Sequence, residues 1–228
     1  MYLFLSHPLD PKDLAWPGEP VVQVKQCTDI TDECPFASFI STVPNHCGTH
    51  MDAPRHFVPG GLNINQLGME YFCHENVLFL EIPKGDAEGV TKADLEPHAD
   101  EIAKVSALII RTGFGKYRNT EPLRYQNHGP YLAPDAGKWL SDTFDNLKVV
   151  GFDFLALGSP DPSIPADQTP PFCHRHILGY FSGKFVTAVE DMKLDELPAG
   201  AKIKRFFNAP LRIVGLDSSQ VCCIAEIE

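Results

Sequence analysis

Four residues within one short stretch could hold and work a metal ion. In Asn45-His46-Cys47-Gly48-Thr49-His50-Met51-Asp52-Ala53-Pro54-Arg55-His56-Phe57, the residues His46, His50, Asp52 and His56 offer imidazoles and a carboxylate at close spacing. Gly48, Thr49 and Pro54 oppose a regular helix, so the stretch reads as looped or extended chain. In extended chain residues 46, 50, 52 and 56 share parity and point to the same side. Two neutral imidazoles and a carboxylate suit Zn or Mn, and three protein ligands leave a position open for water, as hydrolysis requires. His46, His50 and Asp52 are therefore the expected ligands. His56, beyond Pro54, is the expected proton-transfer group, because imidazole exchanges protons near neutral pH; its alternative role is a third imidazole ligand.

The other candidates carry less. His7, His74, His98 and His128 lack ligand-spaced neighbours and read as surface or hydrogen-bonded residues. Cys47 could be taken for a nucleophile, yet free cysteines mostly act as small buried hydrophobes. Adjacent Cys222 and Cys223 have poor geometry for a mutual disulfide. Trp16, Phe57, Tyr71 and Phe72 could each pack in a core or border a ligand.

The surroundings bound what such a site could serve. A chain of 228 residues can bury a large core as one domain, residues 1–228. The formal charge of −11, without a Lys/Arg run, argues against nucleic acid. No stretch approaches a membrane span. Seven cysteines, an odd number with no CxxC pair, suggest neither a disulfide framework nor a thiolate zinc site, which favours a reducing cytoplasm.

The elements that must position the site form an α/β pattern. Apolar, β-rich runs at 2–5, 77–82, 107–111, 149–154, 185–189, 211–214 and 221–227 predict strands. Helical spacing appears at 94–104 and at 134–143, the latter opening on Pro134 and Asp135. Pro/Gly-rich pieces at 15–20, 58–62 and 159–171 predict loops, the last long enough to cover a site. A single α/β domain with a mixed sheet follows.

The motif resembles the HxGTHxDxPxH signature of the cyclase family of metal-dependent hydrolases, which includes bacterial kynurenine formamidase and isatin hydrolase. Further similar pieces are Leu5-Ser6-His7-Pro8, Trp16-Pro17-Gly18-Glu19-Pro20, Arg111-Thr112-Gly113, Val150-Gly151-Phe152-Asp153 and residues 174–197. The resemblance implies a swivelling β/β/α-type fold, a homodimer, and hydrolysis of amide bonds in small, often aromatic molecules with one or two divalent ions. It implies that Asp52 bridges two ions while His174 and Glu190 complete the second site, with His176 as the rival of His174. It also places Trp16 and Phe57 at the substrate. One departure is local: Asp153-Phe154-Leu155-Ala156 stands where the family has hydroxyl side chains.

The expected activity is metal-dependent hydrolysis of an arylformamide or cyclic amide, with His56 as acid/base. A non-catalytic metal- or small-ligand-binding protein is the alternative from another class, and a cysteine hydrolase is a third.

Overall fold

The computed structural model describes residues 1–228. Its strands are β1 (Tyr2–Phe4), β2 (Gln23–Thr28), β3 (Ser38–Thr42), β4 (His50–Asp52), β5 (Cys73–His74), β6 (Val77–Glu81) and β7 (Gly89–Val90). They continue with β8 (Ala107–Arg111), β9 (Tyr131–Leu132), β10 (Val149–Phe152), β11 (Thr187–Glu190), β12 (Ile203–Pro210) and β13 (Ser218–Ile227). The α-helices are α1 (Lys92–Leu95), α2 (Ala99–Ile102), α3 (Tyr117–Thr120), α4 (Pro122–His128), α5 (Pro134–Thr143) and α6 (Pro170–Ile177).

Nine strands build one mixed sheet in the order β5-β12-β13-β4-β11-β10-β8-β6, with β1 added along β13. Strands β6, β8, β10 and β11 run parallel, whereas β4, β12 and β13 pair antiparallel. The two ends of this order, β5 and β6, are separated in sequence only by Glu75 and Asn76. The sheet therefore curls until its ends approach, and is nearly closed into a barrel.

Alternation along the strands sorts two cores. From β8, Ala107 and Ile109 face the barrel interior with Met51, Val149 and Val189, while Leu108 and Ile110 face a second cluster with Val150, Phe152 and Ala188. That outer cluster is covered by α5 and α6 through Ala136, Leu140 and Ile177. The mixed α/β expectation is borne out.

Two expected elements differ. Residues 211–214 are not a strand: Pro210 ends β12, and Leu211 and Val214 stand 63% and 83% exposed in the turn before β13. The expected helix at 94–104 is broken into α1, a 3₁₀ turn at Glu96–His98 and α2, because Pro97 has no N–H to continue the ladder. Helix α5 spans Pro134–Thr143 as its spacing predicts, with proline in its first turn.

Candidate metal centre

The motif reaches the site through three local structures rather than one extended run. Residues 46–49 form a turn, His50–Asp52 form β4, and Pro54–His56 form a 3₁₀ turn. Gly48 makes the first turn possible. Its φ is +65°, and a Cβ there would meet Leu9 Cδ2 at 2.5 Å. Parity holds only within β4, where Met51 points into the barrel and His50 and Asp52 point to the opposite face.

Strand pairing supplies the next ligand-type residue. Across the antiparallel ladder, Glu190 of β11 stands opposite His50, and Ala188 opposite Asp52. Helix α6 supplies His174, whose Nε2 lies 3.4 Å from Glu190 Oε1 and 3.7 Å from Asp52 Oδ2. His176 does not join them; its ring packs beside Phe181, centroids 4.6 Å apart.

Ligand-type atoms converge in two groups that share Asp52: His46, Asp52 and His56, and His50, Asp52 and Glu190. His50 Nδ1–H donates to the Gly48 carbonyl at 2.8 Å, and His174 Nδ1–H donates to the Pro170 carbonyl at 2.7 Å. A carbonyl can only accept, so in the neutral form of each ring Nε2 carries the lone pair and directs it at the cluster. His50 Nε2 and both Asp52 carboxylate oxygens are buried without a hydrogen-bond partner. His46 Nδ1 comes within 3.2 Å of Asp52 Oδ1, an ion-pair distance without hydrogen-bond geometry. Buried unpaired acceptors cost free energy that a cation removes, so this donor set fits a divalent ion.

Sequence reasoning missed Asp217, which precedes β13. Its Oδ2 accepts from His46 Nε2 at 3.1 Å and from His56 Nδ1 at 2.9 Å, leaving His56 Nε2 on the Asp52 side at 3.9 Å. No spacing rule connects it to a motif so far away in sequence; only β13 pairing beside β4 brings it in.

Electrostatics follow from burial against these contacts. Burial alone would depress His46, but Asp52 and the hydrogen bond to Asp217 outweigh it and raise its pKa to about 10. Burial and the Asp52 charge push Glu190 up, but the imidazoles of His174 and His50 hold it down to about 2. The cluster thus trades protons between imidazoles and carboxylates, which a metal would displace.

The centre floors a cavity of about 430 Å³ whose wall includes Trp16 and Phe57. Phe57 stacks on His174 with centroids 4.6 Å apart and 26° between planes. Asp153 lies elsewhere: it accepts from the Thr112 and Gly113 backbones and ties β10 to the loop after β8.

Beneath the site runs a buried ion pair. Asp191 follows Glu190 with φ +52°, which turns its carboxylate away to accept from Arg118 Nε at 2.8 Å and Tyr125 O–H at 2.6 Å. Its carbonyl accepts from Thr49 Oγ1 at 2.5 Å, so both ligand-bearing strands are held from the same point.

Residues 3–159 match the family model described as "Putative cyclase". The chain belongs to the cyclase family. It is 61% identical over 129 residues to an "Uncharacterized protein" of Haemophilus influenzae, covering 57% of this chain and 91% of that one. It is 24% identical over 217 residues to the kynurenine formamidase of Paracidovorax citrulli, covering 95% and 92% of the two chains. It spans only 61% of the longer cyclase-like protein 1 of rice, to which it is 27% identical over 187 residues, 78% of this chain. Among solved structures it resembles isatin hydrolase A from Labrenzia aggregata bound to benzyl benzoate, with TM-score 0.77, 23% identity and coverage of 99% and 93%. This cyclase-family chain thus shares that fold. No helix in it is long and apolar enough to cross a membrane.

Proposed function

We propose that this chain is a divalent-metal-dependent hydrolase that adds water across an amide bond of a small, often aromatic molecule, an arylformamide or a cyclic amide, yielding a carboxylate and an amine. One observation carries the reading: His50 Nε2 and both Asp52 oxygens are buried, without hydrogen-bond partners, and convergent. Membership of the cyclase family and likeness to a kynurenine formamidase support it.

His46, His50 and Asp52 would hold one Zn or Mn ion, and His174 and Glu190 would join Asp52 around a second. The ion would supply Lewis-acid activation of water and of the scissile carbonyl. The remaining work belongs to the chain. His56 accepts a proton at Nε2 and returns it to the leaving nitrogen, which otherwise departs poorly. Asp217 holds His56 by Nδ1, fixing the ring and its tautomer. Trp16 and Phe57 flank the substrate ring and exclude water.

A homodimer in the cytoplasm belongs to the same reading. It is supported by seven unpaired cysteines and by Phe39 and Ile40, each 59% exposed on the β2–β3 hairpin.

The test is protein purified without added metal, analysed for bound metal, then assayed with and without Mn or Zn on formanilides and isatin. Turnover that appears with metal and vanishes with chelator is the expected result. Metal-loaded protein inert towards isatin and every formanilide offered would overturn it.

A further inference from the structure

We propose that this cavity takes aromatic amides whose ring carries no negative charge, and prefers those bearing an ammonium or similar donor, with Glu19 as the specificity-determining residue. The inference rests on the hydrolase reading and deepens it.

The wall of the cavity supplies apolar surface and almost nothing else. Trp16, Phe57, Leu155, Ala156, Pro170 and Pro171 offer no side-chain hydroxyl or amide. The polar side chains on the floor, His46, His50, His56, His174 and Glu190, belong to the metal centre. Cys47 adds a weak thiol. No Lys or Arg lines the cavity, so a substrate carboxylate away from the metal would be desolvated without a partner. The nearby cation Arg118 is committed to Asp191 and Asp13.

Glu19 is the one charged lining residue outside the centre, and a tight turn sets its backbone. Trp16-Pro17-Gly18-Glu19 closes a turn in which Glu19 N–H donates to the Trp16 carbonyl at 2.9 Å and Gly18 has φ +89°. Proline second and a positive-φ glycine third are what a type II turn requires. The turn carries both Trp16 and Glu19 on the cavity wall. Its base is pinned to the body: Gln126 Nε2 donates to the Ala15 carbonyl at 2.6 Å, and Arg118 pairs with Asp13 at 3.0 Å. An exposed carboxylate at the mouth of an apolar slot, on a chain of net charge −11, attracts a cationic substituent and repels an anionic one.

The experiment uses metal-loaded protein and three formanilides of similar size, with a para aminomethyl, ethyl or sulfonatomethyl group. Sulfonate is chosen because it competes poorly for the metal. The expected order of kcat/KM is cationic above neutral, with the anionic compound about tenfold or more below neutral. Glu19→Gln should narrow the cation-to-neutral ratio, and Glu19→Lys should reverse the order of the two charged compounds. An anionic compound as good as the neutral one, or ratios unmoved in both variants, would overturn the proposal. Calorimetry with the matching acetanilides reads the same order from binding alone. If that order holds but no formanilide is cleaved, the hydrolase reading falls and the charge preference stands. If none of the three binds, the preference falls.

Discussion

Glu190 stands directly across the β11–β4 ladder from His50, and its Oε2 lies 3.1 Å from His50 Nε2. Opposed residues in an antiparallel pair share a face, so the register alone delivers a carboxylate to the imidazole. A slip of β4 by one residue would aim Met51 at the cavity and turn His50 and Asp52 into the barrel.

Ligand replacements should therefore separate metal from fold. His46→Ala, His50→Ala and Asp52→Ala are each expected to lose bound metal and turnover together, while circular dichroism remains that of a folded chain, because the cores rather than the ion supply most of the stability. Glu190→Ala should lower metal content less than Asp52→Ala, which both groups share. Full metal content with normal turnover in any of the first three variants contradicts the assignment.

His56→Ala is expected to keep its metal while kcat falls about 10²–10⁴-fold, the range for a positioned acid/base. Lost metal would make His56 a ligand instead. Asp217→Asn should lower kcat by about 10–100-fold with metal retained, since it removes the negative charge and leaves one acceptor oxygen where Asn45, His46 and His56 now share two. An Asp217→Asn enzyme with unchanged kcat would leave that contact without a catalytic role.

Metal stabilisation should grow with pH. In the metal-free protein His46 is raised from 6.5 to about 10, and His50 and His174 are raised as well, in each case because neighbouring carboxylates outweigh burial. A raised group contributes stability that is complete below its unfolded value and is lost as the pH climbs through its folded value. Metal-free stability should thus decline between about pH 6.5 and 10, while the ion, which needs neutral imidazoles, binds more tightly. Thermal melts with and without Mn at about pH 6 and 9 check this. A larger metal-induced rise in Tm at the lower pH would refute it.

Arg118→Ala should destabilise the fold by about 3–5 kcal/mol, because it leaves Asp191 buried opposite no cation. Urea denaturation of the metal-free protein measures the loss directly. A loss below about 1 kcal/mol would show that Asp191 is satisfied by Tyr125 and backbone alone.

The residue types and spacing of the 46–56 motif pointed to four side chains that the structure brings together around Asp52. They named them partly for the wrong geometric reason. Shared parity in extended chain holds for His50 and Asp52 alone; His46 and His56 arrive through a glycine turn and a 3₁₀ turn. His174 and Glu190 came from resemblance to the cyclase family; of the two histidines of α6, His174 lies beside Asp52 and Glu190 while His176 packs beside Phe181.

Composition and local pattern by themselves determined an α/β chain, strands at β6, β8 and β10, helix α5, and a loop dense in metal-ligating residue types. Those are properties of neighbouring residues, and neighbouring residues are what periodicity and turn chemistry read. The short β4, the exposed β2–β3 hairpin and the identity of Asp217 lay outside that reach. A three-residue strand has too few positions to display alternation, and Asp217 meets His56 only because β13 pairs with β4 across most of the chain. Tertiary structure decided those points, since strand register and helix orientation arise from packing between segments that carry no local mark of their partners.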